Sequence, residues 1–170
     1  MKLSEKIVEI ARGEIGKSEV NGTNKGKDIQ KYFLADHFDP NGSKPGDDGY
    51  AWCAAFVCWV VREAMSLLKI KETETFRRPT TPGAWAFEAW SLAQDQTTWT
   101  KKPHKGDILP GDLVIFRFSH IGIATSSPDS RGYVKTIEGN TDSKGSREGG
   151  AVLEKVRHTS SIRSRIRFRI

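Results

Sequence analysis

The stretch LPGDLVIFRFSHIGIAT, residues 109–125, divides the chain into two kinds of sequence. Pro110 and Gly111 signal a turn, and the apolar runs LVIFRF and HIGIAT that follow are short and rich in β-branched and aromatic residues, as strands are. YVKTIEGN (133–140) reads as a third strand. The last residues, IRSRIRFRI (162–170), alternate strictly, with Ile162, Ile166, Phe168 and Ile170 on one face and four arginines on the other.

Upstream of the turn the period is helical. Ser4–Gly16 reads as a helix with Ser4 as N-cap and Leu3, Ile7, Ile10, Ala11 and Ile15 at helical spacing. Asp28–Phe33 fits a short second helix, and Asp36–Gly49 turns to Asp, Gly, Pro, Asn and Ser, the composition of an irregular loop. Trp52–Leu68 is the longest helix, with Phe56, Val57, Val60, Val61, Ala64 and Leu68 on one face. Pro82–Ala93 fits another, opening on a proline. Helices first and strands second predict an α+β fold, N-terminal helices packed on an antiparallel sheet. No repeat or linker interrupts the 170 residues, so one domain spanning 1–170 is expected.

The chain carries 27 basic and 21 acidic residues, a net charge of +6. The excess lies in Lys155, Arg157, Arg163, Arg165, Arg167 and Arg169, a terminal segment without an acid. Such a row favours a polyanion such as a wall polymer. The alternation is equally that of a half-buried strand whose arginines face solvent and discourage edge pairing, and this structural reading is preferred. No apolar run approaches the ~20 residues of a membrane span. The amphipathic start MKLSEKIVEIARGEIG is unlike a Sec signal peptide. Two cysteines fit a chain made in a reducing compartment.

Both cysteines fall in GYAWCAAFVCW (49–59). Five positions apart on a helix of 100° per residue, Cys53 and Cys58 diverge by roughly 140°, which disfavours a shared metal and a disulfide. No Cys or His cluster has zinc spacing, so no metal or cofactor is expected. Cys58 reads as an inert core thiol. Cys53 follows a glycine-containing loop and opens the long helix, where unpaired N–H groups and the dipole favour a thiolate and can serve an oxyanion.

A nucleophile needs a base, and the base an orienting group. His37, His104 and His158 lie in polar surroundings, whereas His120 stands between two apolar strand segments. In TIEGN, Glu138 and Asn140 are two apart and share a strand face. If that strand pairs with the one beginning at His120, an acid and an amide lie beside the imidazole, and Glu138 can fix its tautomer. Taken alone, Glu138 reads as a surface carboxylate. Trp52, Tyr50, Trp85 and Trp90 either line a groove or fill the core; aromatics at helical spacing are more often core, and no role is assigned to them.

AWCAAFV at a helix start, then LPGDLVIFRFSHIGIAT, then TIEGNT, in that order, resemble the CHAP domains: cysteine, histidine-dependent amidohydrolases/peptidases related to the papain-like NlpC/P60 hydrolases. ARGEIGKSEVNGTNKGKDIQKYF also looks like the lead-in of bacterial and phage members, so the resemblance runs from about Ile7 to Thr141. It implies a papain-like α+β unit with Cys53 as nucleophile, His120 as base and then acid, Glu138 orienting His120, and Asn140 as an auxiliary polar group. Some phage members bind calcium through acids before the cysteine. Here Asp39, Asn41, Asp47 and Asp48 occupy that loop, but Lys44 and Tyr50 stand at the sixth and twelfth positions from Asp39, which no EF-hand allows.

The function the resemblance implies is cleavage of an amide bond in bacterial peptidoglycan, as an N-acetylmuramoyl-L-alanine amidase or an endopeptidase. Without a Sec signal, the expected route from cytoplasm to wall is release of a phage lysin through a holin, or dedicated secretion of a toxin. An inhibitor or immunity protein is a further candidate partner, a monomer is expected, and nucleic acid is not favoured, since no metal-binding carboxylate set appears. Two alternatives keep the residues and change the reading: an amidase acting on a soluble amide or isopeptide, and a non-catalytic basic module that binds a polyanion.

Overall fold

A computed structural model describes residues 1–36, 50–142 and 149–170. Four helices precede the sheet: α1 (Leu3–Gly13), α2 (Lys27–Asp36), α3 (Cys53–Leu67) and α4 (Ala86–Leu92). Then come β1 (Thr97–Lys101), β2 (Leu113–Phe116), β3 (Ile121–Ala124), β4 (Tyr133–Thr141), β5 (Ala151–His158) and β6 (Ile162–Phe168). Among the described residues the strands form one sheet in the order β1-β6-β2-β3-β4-β5, every neighbouring pair antiparallel. The α+β class and the helix-then-strand order are as the sequence predicts.

Alternation along the strands sends side chains to two clusters. Leu113, Ile115, Ile121, Ile123, Ile137 and Ile166 join the main core with the helices. Val114, Phe116, Ala124, Val134 and Ile162 form a second apolar cluster with Ile108. Helix α3 is apolar nearly all round, because α1 and α2 pack on one side of it and β3 and β4 on the other. Ala54, Phe56, Val57, Cys58, Val60, Val61 and Ala64 are fully buried there.

Several local expectations are corrected. The first helix is capped at Lys2 rather than Ser4, and the Lys2 amide donates to Glu5 Oε2 at 3.0 Å. The helix expected over Pro82–Ala93 is only Ala86–Leu92, since residues 82–85 form a bend and turn first. Asp36 ends α2 and is buried, while the rest of the expected loop, with His37, Asp39, Asn41, Asp47 and Asp48, lies outside the described residues.

The largest correction concerns β6. It lies inside the sheet, between β1 and β2, and its arginines are engaged rather than turned freely to solvent. Arg167 grips Asp112 through two nitrogens, at 2.8 and 2.7 Å. Arg163 donates to Glu88 at 3.0 Å and lies 4.3 Å from the Trp85 ring centroid. Arg165 is buried and donates to Thr98 at 3.1 Å, and Arg169 donates to the Asp95 carbonyl. Burial holds the Arg165 guanidinium below its ordinary pKa, whereas Asp112 raises that of Arg167. The terminal arginines are thus engaged within the fold, by Glu88, Asp112, Thr98 and the Asp95 carbonyl.

Candidate active site

Cys53 is the first residue of α3, behind a fully buried Trp52. Trp52 is fixed from three sides. Its indole N–H donates to Glu19 Oε2 at 2.9 Å, its ring stacks on Tyr32 at 5.6 Å, and Gly139 of β4 lies beneath it. A Cβ at Gly139 would stand 2.8 Å from Phe56 Cβ and 3.0 Å from Trp52 Cζ3, so only glycine lets the start of α3 settle this close to β4. The first helical bond runs from the Phe56 amide to the Trp52 carbonyl at 2.9 Å. The amides of Cys53, Ala54 and Ala55 precede it and are the ones a helix leaves without intrahelical partners.

His120 immediately precedes β3 and is fully buried. Strands β3 and β4 pair antiparallel, as the approach of Glu138 to His120 requires. Imidazole Nε2 donates to Glu138 Oε2 at 2.9 Å. Gly122 makes room for this reach, because a Cβ there would lie 2.7 Å from Glu138 Cγ. The other ring nitrogen, Nδ1, is buried without a well-aligned hydrogen bond, yet the Cys53 thiol is close enough to act on the imidazole. With Nε2 committed to Glu138, Nδ1 is the nitrogen left for the sulfur.

Glu138 is saturated. It accepts from Thr136 Oγ1 at 2.7 Å and from Arg157 Nε at 2.8 Å, and a second Arg157 nitrogen reaches Oε2. The Arg157 guanidinium in turn lies 5.2 Å from the ring centroids of both Phe116 and Phe118. Those two rings stack near-parallel to the His120 imidazole, at 5.8 and 5.7 Å. Sequence reasoning placed Arg157 in a solvated basic tail. AVLEKVRH forms β5 beside β4, and no alternation in it marks Arg157 as inward.

Burial disfavours a charged imidazole, but Cys53 and Glu138 together outweigh it and raise the His120 pKa to about 9. Burial likewise opposes a charged Glu138, yet Arg157 and His120 hold it well below the usual carboxylate range. The site therefore carries an imidazolium and a carboxylate at neutral pH. Asn140 is buried near the end of β4, at φ 54°, where the β4–β5 register shifts between Glu138 and Thr141. The simple two-residue alternation assumed for Glu138 and Asn140 breaks at this bulge. Cys58 is fully buried, its Sγ 3.5 Å from the Thr81 carbonyl, and burial pushes its pKa up, as suits a core thiol.

The family profile described as CHAP domain matches residues 45–140, a span that holds Cys53, His120, Glu138 and Asn140. The chain belongs to the CHAP domain family. Among solved structures, this CHAP chain is similar to the crystal structure of a wild-type endolysin, LysIME-EF1, at 14% identity and a TM-score of 0.49. That alignment covers 98% of this chain and 64% of the endolysin chain, so the CHAP chain spans a little under two thirds of its length. No curated protein matches the sequence. Among the described residues of the CHAP chain, no group of His, Cys, Asp and Glu could hold a metal ion, and no helix is long and apolar enough to cross a membrane.

Proposed function

We propose that the chain is a peptidoglycan hydrolase that cleaves an amide bond by cysteine nucleophilic catalysis, as an N-acetylmuramoyl-L-alanine amidase or an endopeptidase. The observation that carries this reading is His120, held by Glu138 on one side and facing the Cys53 thiol on the other, at the start of a helix. In the proposed cycle the Cys53 sulfur, beside the His120 imidazolium, attacks the amide carbonyl as nucleophile. The first-turn amides of α3 stabilise the oxyanion. His120 gives its proton to the leaving amine, and the C–N bond breaks to leave a thioester. Neutral His120 then takes a proton from water, which hydrolyses the thioester and frees Cys53. Glu138 holds the ring and balances its charge throughout. Asn140 serves as an auxiliary polar group near the end of the same strand. Delivery to the wall through a holin or a dedicated secretion system completes the proposal.

Purified protein acting on peptidoglycan tests it. New amino groups without new reducing ends are expected, with activity lost in Cys53→Ala and reduced about 10²–10⁴-fold in His120→Ala. Products from defined muropeptides separate amidase from endopeptidase. Cleavage confined to small soluble amides, unaffected by intact peptidoglycan as competitor, would overturn the substrate assignment.

A further inference from the structure

On another part of the surface, a cavity of about 360 Å³ opens between the end of β1, the turn before β4 and the β5–β6 connection. Lys102, Lys105, Arg117 and Arg131 line it together with His104 and His158. Among the described residues no Asp or Glu lines it, and none of the four permanent cations forms an ion pair. Of the acids nearest in sequence, Asp129 acts electrostatically on Arg131, and both Asp129 and Asp107 are also held by backbone amides. Asp129 Oδ1 accepts from the amides of Arg131 and Tyr133, and Asp107 Oδ2 accepts from the His104 amide.

Two of the cations are anchored by backbone carbonyls. Arg117 Nε donates to the Ser160 carbonyl at 2.9 Å, and Lys105 Nζ to the Ser130 carbonyl at 3.2 Å. His158 ties the two walls together: its Nε2 donates to the Arg131 carbonyl at 3.1 Å, and its Nδ1 accepts from the Ser160 amide at 3.2 Å. Gly132, at φ 86°, lets the turn come this close, since a Cβ would lie 3.0 Å from His158 Nε2. Like charges gathered in one concavity repel, and the arrangement is favourable once an anion joins them. Side chains already anchored lose little freedom on binding one.

We propose that this cavity is a binding site for phosphate groups, and that its ligand is a phosphodiester polymer of the cell wall. The phosphate assignment stands on the cavity alone; the wall as its source rests on the proposed function. Arg117 lies in the same β2–β3 turn that ends at His120. This charge is separate from the arginines of β6, which are occupied within the fold.

The test uses the full chain carrying Cys53→Ala, so that binding is read without turnover and its failure is distinct from failure of hydrolysis. Inorganic phosphate and a glycerol-phosphate oligomer are titrated while amide NMR shifts are followed. Shifts at Gly132 and Thr159 are expected, with tighter binding of the oligomer. Each charge-assisted hydrogen bond is worth about 1.5–3 kcal/mol, so Lys105→Ala with Arg117→Ala should weaken binding by at least about tenfold. Arg131→Glu, whose exposed side chain overlies Tyr133 and faces the charge of Asp129, serves as a second variant should the first pair unfold. Absence of binding, binding indifferent to these variants, or tighter binding of duplex DNA than of the oligomer at equal salt would each overturn the proposal.

Discussion

Arg157 clamps Glu138 through two nitrogens, so the carboxylate that orients His120 is itself oriented from the neighbouring strand. The pair is buried, with Arg157 exposing only 14% of its side chain and Glu138 none. Removing one partner of such a pair leaves an uncompensated charge.

Arg157→Met is therefore expected to destabilise the protein by about 3 kcal/mol and to lower activity. Arg157→Lys should recover part of both, because an ammonium cannot reproduce the two-pronged contact. Denaturant melts and the pH profile of kcat/KM check this. A structural role alone would leave the profile of the surviving activity where it was, whereas loss of the clamp should shift its basic limb.

The pH dependence has a definite sign. The folded-state pKa of His120, about 9, exceeds its ordinary 6.5, so the stabilisation from its charged form is fully present below about 6.5 and is lost as pH rises through about 9. Glu138 works the other way: its contribution is present above its ordinary 4.5 and fades as pH falls through its lowered folded value. Activity is expected to decline along a limb near pH 9, as the leaving amine loses its proton donor. Melting temperatures of Glu138→Gln across the same range should lose most of the wild-type variation.

Gly122→Ala is expected to cost about 1–3 kcal/mol and to lower kcat more than it raises KM. The new methyl would press on Glu138 Cγ and on the Ile137 carbonyl, 3.2 Å away, moving the carboxylate off the imidazole. Thermal melts alongside steady-state kinetics read the two effects separately. An unchanged kcat would show that Glu138 does not need its present position.

Neutralising the β6 arginines should weaken the fold. Arg167→Gln leaves Asp112, which is 2% exposed, without its bidentate partner, and a loss of about 1–3 kcal/mol in chemical denaturation is expected. Binding of polyanions should change little in the same variant, measured at a temperature where it remains folded.

Much of this architecture is legible in the sequence because apolar period and turn chemistry act locally. Helix α3 and strands β2, β3 and β4 follow from spacing, which brings Glu138 to His120 only on the condition that their strands pair, as they do. What escapes is decided by pairing across long separations. β1 is the polar run TTWTK, which becomes a strand only because Thr97 to Lys101 lie against Phe168 to Ser164. Alternation in β6 separates two faces but cannot say that the arginine face is covered, since Glu88, Thr98 and Asp112 arrive from three other segments. Arg157 was hidden for the same reason: its strand carries Glu154, Lys155 and Arg157 without a regular period, and only the fold brings Arg157 to Glu138. The Ser4 cap failed because Lys2 and Glu5 close the first turn between them.

The placement of β6 also governs how the chain can be made. β1 joins the sheet only through β6, and β2 has β6 as one of its two neighbours. Until residues 162–168 have left the ribosome, β1 has no partner and β2 has an open edge. Among the described strands, β6 is thus added between the edge strand β1 and the β2-β3-β4-β5 run after all of them have been made, a long-range pairing that forms late. A stop codon just ahead of Ile162 would excise the keystone of the sheet and release β1, while every candidate catalytic residue remained in the sequence.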